Sequence, residues 1–254
     1  MTNDSQDLTC DAFLGGQLNI WQPKNGYRAG IDPVLLAASV AATSGEELLD
    51  LGCGVGVAAL CATRRVAGLR VTGLELQPLY AELARRNAHE NNVDFHVIEG
   101  DLANLPLDLK ERQFNHVIAN PPYFDRKHSQ PSANQEREAA LGESTPLSTW
   151  VKIAAQRTKP KGYVTFILRT ERLPEFLTEA DKRLGSFQLL PLIPHSGQES
   201  RLILIRGRRD GRAAFRLHPG WILHEDEVLT KSTKNYTKAT NSILRDGKSL
   251  SFIQ

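Results

Sequence analysis

The most specific chemical signal in the sequence is the run Asn120-Pro121-Pro122-Tyr123, which directly follows the apolar stretch Phe114–Ala119. The two prolines fix backbone φ angles and remove two N–H donors, so the turn presents carbonyl oxygens, one carboxamide and one aromatic ring. A carboxamide oxygen and a backbone carbonyl can accept both N–H bonds of a planar amino group, while the tyrosine ring stacks on it. The run therefore predicts chemistry on a conjugated nitrogen, with Asn120, Pro121, Pro122 and Tyr123 as the catalytic residues.

A glycine-rich turn, Gly52-Cys53-Gly54-Val55-Gly56, lies earlier in the chain and is preceded by Asp50. Glycine lets the backbone turn tightly and lets a ligand approach it closely. The G-x-G-x-G spacing differs from the G-x-G-x-x-G of dinucleotide-binding proteins. Because a pyrophosphate favours a bare helix N-terminus, an acid before the glycines favours a cationic cofactor without phosphate. The spacing thus disfavours the alternative, a nicotinamide-dependent dehydrogenase.

Two more acids follow predicted strands. Glu75 lies about twenty residues beyond the glycine turn, where a carboxylate can hold ribose hydroxyls. Asp101 follows the next predicted strand, within reach of an adenine ring. Together with Asp50, these acids stand at three successive strand ends and frame the glycine turn. The arrangement predicts a nucleoside-containing cofactor.

The elements that must position these residues alternate along the chain. Strands are predicted at 47–51, 69–74, 94–99, 114–119 and 162–168, and helices at 32–42, 57–65, 78–91, 147–158 and 173–184. Two apolar runs, 187–193 and 201–205, predict a terminal antiparallel pair. The pattern predicts one α/β domain with a doubly wound, seven-stranded, mostly parallel sheet covered by helices on both faces. Ligands of such sheets bind at the carboxyl ends of the strands.

Three stretches are predicted to be irregular: the first thirty residues, the polar segment 125–145 and the basic chain beyond Arg206. A long loop such as 125–145 is often a lid or a binding element. Asp32 is expected to cap the first helix, with Pro33 at its first position. Residues 1–45 therefore form an N-terminal extension ahead of the domain 46–254.

Composition limits the class of protein. Hydrophobic residues make up 41% and charged residues 24% of the 254 residues, as in average globular proteins. No stretch approaches the roughly 20 apolar residues that span a bilayer, and no secretory signal is apparent, so a cytoplasmic protein is expected. The cysteines Cys10, Cys53 and Cys61 lack metal-ligand spacing. We expect reduced thiols, no metal and no catalytic histidine.

From Glu47 to about Arg206 the sequence resembles the class I S-adenosylmethionine-dependent methyltransferases. The resemblance implies that S-adenosyl-L-methionine is the cofactor and that Asp50, Gly52 and Gly54 hold its methionine part. It also implies that Glu75, beside Leu76, takes the ribose, and that Asp101 and the Leu102 backbone take the adenine. Asn120 borders both the cofactor and the acceptor.

The Asn-Pro-Pro-Tyr run is shared by adenine-N6 methyltransferases and by enzymes that methylate a glutamine amide in release factors. The latter carry a helical domain ahead of the glycine loop, and the 49 residues before Asp50 are too few for one. The run from Gln22 to Ala37 resembles the start of the bacterial family that methylates adenine N6 in the anticodon loop of valine tRNA. There the segment folds over the cofactor, which implies cofactor-side roles for Tyr27, Arg28 and Asp32.

The net charge of +2 is uninformative, but its distribution is uneven. Basic residues concentrate near the end of the chain, at Arg201, Arg206, Arg208, Arg209, Arg212, Arg216, Lys231, Lys234 and Lys238, with Tyr236 among them. Arginines that follow phosphates supply affinity that is independent of sequence. We therefore expect RNA, and tRNA in particular, to bind Arg206, Arg208, Arg209 and this basic tail, with the target base flipped out toward Tyr123.

The sequence therefore predicts methyl transfer to the N6 amino group of an adenine in RNA. Three alternatives remain at this stage. The protein could be a protein-glutamine N5 methyltransferase, a small-molecule or O-methyltransferase, or a non-enzymatic RNA-binding module on the same fold. Hydroxyl methylation usually needs a metal or a base near the acceptor, which disfavours the second.

Overall fold

The computed structural model describes residues 7–122, 145–225 and 235–252. Its strands are β1 (Leu8–Phe13), β2 (Leu18–Pro23), β3 (Glu47–Leu51), β4 (Arg70–Glu75), β5 (Phe95–Glu99), β6 (Phe114–Ala119), β7 (Thr158–Arg169), β8 (Leu184–Ile193), β9 (Leu202–Arg209), β10 (Arg216–Leu217) and β11 (Trp221–Ile222). Its helices are α1 (Asp32–Ser39), α2 (Val57–Arg65), α3 (Pro78–Glu90), α4 (Leu107–Lys110), α5 (Leu147–Arg157), α6 (Leu173–Ala180) and α7 (Lys238–Asp246). None of these helices is long and apolar enough to cross a membrane.

The central sheet has the strand order β10-β8-β9-β7-β6-β3-β4-β5, with β11 also paired to β8. Strands β3 to β7 run parallel, and β9 is antiparallel to both of its neighbours. This confirms the predicted parallel sheet with a terminal antiparallel pair, to which the structure adds the short strands β10 and β11. The chain proceeds from β3 to β4 and β5, then returns to β6 on the other side of β3. The strand order thus reverses between β3 and β6, the place where ligands of such sheets bind.

The sheet separates two hydrophobic cores, as alternation along each strand requires. In β3, Leu48 belongs to the core beneath α1, α2 and α3, whereas Leu49 and Leu51 belong to the core beneath α4, α5 and α6. In β6, Ile118 and Val117 divide in the same way. Because both faces of the sheet are buried, the strands are near-continuous apolar runs, which is why the sequence predicts them well.

The prediction that the first thirty residues are irregular is wrong, because β1 and β2 form an antiparallel hairpin there. In β2 the alternate residues Leu18, Ile20 and Gln22 are buried. The turn between the strands uses Gly15 and Gly16 at φ +65° and +93°. The alternation of buried and exposed positions in β2 could have predicted this strand. It is hard to recognise in the sequence because polar residues interrupt the apolar pattern.

Asn87 of α3 and Asn91, which directly follows this helix, hold the hairpin against the rest of the fold. The backbone N–H of Trp21 donates to Asn87 Oδ1 at 2.7 Å, and that of Asn19 donates to Asn91 Oδ1 at 3.0 Å. Asn87 Nδ2 also donates to the carbonyl oxygen of Val55, at 3.0 Å. A single buried side chain therefore joins the N-terminal hairpin to the glycine-rich turn.

Two further predictions are corrected. Helix α1 begins at Asp32, so Ile31 is the capping position, and no side chain caps the helix there. The chain beyond Arg206 includes regular structure among its described residues, since β9 continues to Arg209 and α7 spans Lys238–Asp246. Thr237 Oγ1 caps α7 and accepts from the backbone N–H of Thr240 at 3.1 Å. Of the predicted 125–145 loop, all but its last residue lies outside the described residues.

Candidate functional site

The carboxyl ends of β3, β4, β5 and β6 bring the predicted site residues to one edge of the sheet. The register pairs Leu51 with both Leu74 and Ala119. The residues that follow these three positions therefore lie side by side, and they include Gly52, Glu75 and Asn120. Asp101 follows β5 at the same edge. Positions up to 70 residues apart in the chain thus surround the point where strand order reverses.

The glycine-rich turn is shaped by two different requirements. Gly52 and Gly54 both adopt left-handed φ angles, of +65° and +55°. A Cβ on Gly52 would lie 2.5 Å from Cη2 of Trp150, whereas a Cβ on Gly54 would meet no atom within 4 Å among the described residues. Gly52 is therefore required by packing, and Gly54 borders open space that a ligand can occupy.

Asp50 is buried just before this turn, with 3% of its surface exposed. Burial raises the pKa of its carboxyl group to about 8, a backbone hydrogen bond from Ala59 opposes the shift, and the charge of Glu75 adds to it. Within the described ranges, Asp50 Oδ2 is buried without a hydrogen-bond partner. An orphaned acceptor of this kind costs roughly 1–3 kcal/mol. A cationic ligand would satisfy the oxygen and restore the charged form.

The Glu75 carboxylate is oriented by the backbone around it. Its Oε2 accepts from the N–H of Gly54 at 2.8 Å, and its Oε1 accepts from the N–H of Gln77 at 2.9 Å. Burial raises the pKa of Glu75 despite these bonds. Each oxygen retains a lone pair for a hydroxyl donor. Beside it the Leu76 side chain is 52% exposed, so an acceptor of hydroxyls adjoins an apolar surface.

Asp101 shapes the loop after β5. Its Oδ1 accepts from the backbone N–H of Ala103 at 2.8 Å, which fixes the turn. The side chain of Leu102 is buried in the core, so any contact of Leu102 with a ligand must come from its backbone.

Asn120, at the end of β6, has one satisfied and one orphaned end. Its Nδ2 donates to the hydroxyl of Tyr27 at 3.3 Å. Its Oδ1 is buried and has no partner in the described part of the chain. Pro121 is buried beside it and Pro122 is half-buried. Tyr123, the last member of the predicted tetrad, lies outside the described residues.

Arg172 holds the Pro121-Pro122 turn from the other side. Its Nη1 donates to the carbonyl oxygen of Pro122 at 3.2 Å, and its Nη2 pairs with Glu175 Oε2 at 3.2 Å. Only 8% of this arginine is exposed. Arg172 was not among the residues predicted from the sequence. Its place just after β7, at the carboxyl edge of the sheet, could have identified it.

Tyr27 and Arg28, two of the three residues predicted on the cofactor side, lie in different surroundings. The Tyr27 hydroxyl lies against Asn120, and burial and the charges of Asp32 and Asp50 raise its pKa well above the ordinary value. Arg28 instead turns into the hairpin. Its guanidinium donates to Thr9 Oγ1, Pro23 O and Asp11 Oδ2, at 2.7, 2.8 and 2.6 Å. The structure therefore does not bring the Arg28 side chain into the site.

The arginines predicted to bind RNA lie away from the site. Tyr163, near the start of β7, pairs with Arg208, so the end of β9 is at the amino edge of the sheet. Arg206 Nη2 donates to Gln188 at 3.0 Å, Arg208 Nε donates to Lys161 O at 2.9 Å, and Arg209 donates to Thr158 O. These charges are used within the fold, which the sequence could not show because most of their partners are backbone carbonyls. These three arginines are therefore not part of the candidate site at the carboxyl edge.

Metal-binding clusters and free thiols are other groups that could support chemistry. Across residues 7–122, 145–225 and 235–252, no group of three or more His, Cys, Asp and Glu side chains could hold a metal ion. Cys53 and Cys61 are buried free thiols and Cys10 is an exposed one. The carboxyl edge is thus where the described structure concentrates its functional groups.

Comparisons with known proteins agree with this site. Residues 29–139 match the family model described as the methyltransferase small domain. A tRNA1(Val) (adenine(37)-N6)-methyltransferase of Porphyromonas gingivalis is 32% identical over 250 residues, covering 91% of this chain and 96% of that protein. A protein of the same description from Haemophilus influenzae is 27% identical over 241 residues, covering 92% and 97%.

Solved structures show the same fold. A predicted O-methyltransferase of Agrobacterium tumefaciens has a TM-score of 0.69 at 23% identity, covering 87% of this chain and 98% of its own. A methyltransferase of Pyrococcus furiosus has a TM-score of 0.54 at 16% identity, covering 75% and 88%.

The fold, with an acid-framed glycine turn at its switch point, defines a class I S-adenosylmethionine-dependent methyltransferase. Similarity over almost the whole length of the chain then narrows the class to a family. The chain belongs to the family of the tRNA1(Val) (adenine(37)-N6)-methyltransferases.

Proposed function

We propose that the protein transfers a methyl group from S-adenosylmethionine to the exocyclic N6 amino group of an adenine in tRNA. The observation that carries this proposal is the buried, unpartnered Oδ1 of Asn120 at the carboxyl edge of β6. An orphaned acceptor there suits a planar amino group, which has two N–H donors. The relatives named above are described as acting on adenine 37 of a valine tRNA, which supports the same acceptor class.

The residues present fit the cofactor. Asp50 Oδ2 would receive its ammonium group, and the carboxylate of Glu75 would receive its ribose hydroxyls. Leu76 and the Asp101-Leu102 turn would flank its adenine, and the open space at Gly54 would admit its methionine part. When bound, S-adenosylmethionine supplies an electrophilic methyl group on a positively charged sulfur.

The chain itself activates the acceptor. Asn120 Oδ1 and the carbonyl oxygen of Pro121 would accept the two N–H bonds of the amino group. That geometry turns the nitrogen lone pair out of conjugation with the ring, and the same two dipoles stabilise the positive charge that develops on nitrogen. The nitrogen gains the methyl group and afterwards loses one proton to water. No strongly basic side chain is needed, and in this proposal Tyr123 stacks on the ring.

An adenine in a folded tRNA reaches such a site only when it unstacks from its neighbours and flips out. This costs the least free energy for an unpaired base in a loop. We propose that residues 1–45 form the extension that covers the cofactor side, since Tyr27 lies near enough to Asp50 for the charge of that carboxylate to raise the pKa of the tyrosine. A tRNA substrate also favours a cytoplasmic location and makes the protein an RNA-binding enzyme.

The proposal is tested with radiolabelled S-adenosylmethionine and four separate acceptors: total tRNA, total protein extract, DNA and a simple catechol. Label is expected in tRNA alone, and its rate of incorporation should fall about 10²–10³-fold with the Asn120→Ala variant. Label in protein alone would identify a glutamine amide as the acceptor, and label in the catechol would identify an O-methyltransferase. Either result would overturn the proposed acceptor.

A further inference from the structure

The Asn120 carboxamide works only in one of its two orientations. A 180° rotation exchanges the oxygen, which accepts hydrogen bonds, with the NH2 group, which only donates them. An NH2 group directed at the amino group of the acceptor would set donors against donors. Some contact must therefore select the orientation in which Oδ1 faces the acceptor.

We propose that Tyr27 is a positioning residue that makes this selection. Its hydroxyl oxygen accepts a hydrogen bond from Asn120 Nδ2 at 3.3 Å and thereby leaves Oδ1 for the acceptor. The proposal rests on the proposed function, because it assigns a partner to the residue that carries it. It gives Tyr27 a part in the chemical step, distinct from contact with the cofactor.

The segment around Tyr27 is held firmly enough for this role. The hydroxyl of Tyr80 donates to the carbonyl oxygen of Tyr27 at 3.1 Å, and a Cβ on Gly26 would lie 3.0 Å from that same hydroxyl. On the other side, the N–H of Ala29 donates to Gln22 Oε1 at 2.8 Å. Arg28 adds its three bonds to the hairpin. The N-terminal hairpin thus fixes Tyr27, and Tyr27 fixes Asn120.

The hydroxyl stays protonated under working conditions. The groups that raise its pKa, besides burial, are Asp32, Asp50 and Tyr80, while the bond from Asn120 lowers it. A neutral phenol accepts from Nδ2 without placing a negative charge beside the carboxylates. The effect of removing this hydroxyl should therefore be the same at every assay pH between about 6 and 9.

The test compares Tyr27→Phe with Tyr163→Phe, a control at the amino edge, where the ring stacks on His116. Single-turnover methylation of tRNA should slow about tenfold in Tyr27→Phe, the loss of one hydrogen bond. Its Kd for S-adenosylhomocysteine and its KM for tRNA should stay within about twofold of wild type. Tyr163→Phe should match wild type in all three measurements.

A double-mutant cycle separates positioning from other roles. In the Asn120→Ala background, Tyr27→Phe should cause no further loss, because its effect passes through the amide. Losses that multiply would overturn the proposal, as would a weakened cofactor Kd with an unchanged rate. If the wild type methylates protein and leaves tRNA unlabelled, the proposed function fails, yet the same cycle still tests Tyr27 on that acceptor.

A second observation is independent of Asn120: three rings from separate segments stack at the same edge. His195 stacks on His224 with centroids 5.1 Å apart and planes at 26°, and His224 stacks on Tyr236 at 4.6 Å and 23°. Strand β8 runs parallel to β7, since both are antiparallel to β9, and it ends at Ile193. His195 therefore lies just beyond the carboxyl edge.

We infer that this aromatic column (His195, His224 and Tyr236) binds an unpaired base of the RNA near the adenine to be methylated. Nucleobases stack on aromatic rings whatever their identity, and both end rings of the column are half-buried, with part of their surface exposed. Strand β8 lies three strands from β6, so at about 4.8 Å per strand the carboxyl ends of these two strands are roughly 14 Å apart. His195 lies two residues beyond the end of β8, and Asn120 directly follows β6. A few nucleotides of a loop span that distance.

This inference also rests on an RNA substrate, and binding tests it separately from catalysis. His195→Leu and Tyr236→Leu should each weaken the Kd for tRNA at least about fivefold and leave the Kd for S-adenosylhomocysteine unchanged. Tyr236→Trp keeps a stacking ring and should bind like wild type. His218→Leu is the control, since that ring packs against Phe252 away from the column. Unchanged tRNA binding in both leucine variants and their combination would overturn the inference.

Discussion

The two edges of the central sheet treat polar groups in opposite ways. At the amino edge, His116 Nε2 lies 3.2 Å from Glu46 Oε2 and Lys159 Nζ lies 2.7 Å from Glu47 Oε2. At the carboxyl edge, within the described residues, Asp50 Oδ2 and Asn120 Oδ1 are buried and unpartnered. The other such atoms are the Nε atoms of three arginines, each of which bonds through another nitrogen: Arg65, Arg157 and Arg206.

This difference shows where ligands complete the structure. A buried acceptor without a donor costs roughly 1–3 kcal/mol, so a fold keeps one only where something else will satisfy it. Both orphaned oxygens lie at the switch point of the sheet. The amino edge shows the converse, because basic side chains that look available in the sequence donate there to backbone carbonyls or pair with carboxylates.

The largest expected effect is a loss of kcat in one of two asparagine variants, Asn120→Ala and Asn115→Ala, whose sites lie at opposite ends of β6. Asn120→Ala should lower kcat about 10²–10³-fold, because it removes a fixed dipole from the transition state. Cofactor Kd and Tm should be unchanged. Asn115 Oδ1 accepts from the N–H of Glu47 at 3.0 Å and from Lys159 Nζ at 3.2 Å. Asn115→Ala should therefore keep kcat and lose about 1–2 kcal/mol of stability, a fall in Tm of a few degrees.

Steady-state kinetics and thermal melts measure both variants side by side. A loss of kcat in Asn115→Ala as large as that in Asn120→Ala would break the distinction between the edges.

The next prediction compares two glycines of the same turn, one of which should affect stability and the other cofactor affinity. Gly52→Ala places a Cβ 2.5 Å from Trp150, so it should lower Tm sharply. Gly54→Ala meets no atom of the described residues within 4 Å and carries the strain of φ +55°, about 1–2 kcal/mol. It should fold and lose most of its affinity for S-adenosylhomocysteine, because its methyl group enters the space for the ligand. Calorimetric titration that found normal affinity in Gly54→Ala would remove that turn from the cofactor site.

A smaller effect follows from the raised pKa of Asp50. Since that pKa is about 8 and the ordinary value is 3.8, the carboxyl group holds a proton at neutral pH in the free protein. Its contribution to the free energy of unfolding falls as the pH rises between those two values. A cationic cofactor needs the ionised form, so affinity for S-adenosylmethionine should rise about tenfold between about pH 6.5 and pH 8.

Titration calorimetry in buffers of different ionisation enthalpy would detect the released proton. The isosteric variant Asp50→Asn should bind weakly and show no pH dependence over this range. An affinity of the wild type that is independent of pH would contradict a protonated Asp50.

The smallest effect is expected at the amino edge. The double variant Arg208→Gln, Arg209→Gln should change the Kd for tRNA by less than about twofold and leave its salt dependence unaltered. The reason is that both guanidinium groups already bind backbone carbonyls. A decrease in the salt slope of about one per arginine would show that the amino edge does contact phosphates.

Much of this fold could be predicted from the sequence, for identifiable reasons. The parallel strands are apolar on both faces, so β3 to β7 stand out as runs between helices. The hairpin β1–β2 could not be predicted in this way, because one side of it is polar. Its backbone also bonds to Asn87 and Asn91, which lie in and just after a helix distant in the sequence. Short motifs marked the glycine turn and the Asn-Pro-Pro run, since their function depends on consecutive residues.

Contacts between distant residues could not be predicted. Tyr27 and Asn120 are 93 positions apart, and nothing local to either residue indicates their hydrogen bond. The hydrogen bonds of Arg208 and Arg209 in β9 could not be predicted for the same reason, because their partners are backbone carbonyls that every residue carries. Arg172 could be predicted in part. Its place after a parallel strand follows from the sequence, whereas its hydrogen bond to Pro122 does not.

The central claim is that the carboxyl edge methylates the N6 amino group of an adenine in tRNA. The most direct test is nucleoside analysis by mass spectrometry of tRNA incubated with S-adenosylmethionine and wild-type protein, with the Asn120→Ala variant in parallel. The expected result is N6-methyladenosine with the wild type and, in the same time, about a hundredth as much or less with the variant. A methyl group on a ring nitrogen, on a ribose oxygen or on another base would contradict it, as would equal N6-methyladenosine from both proteins.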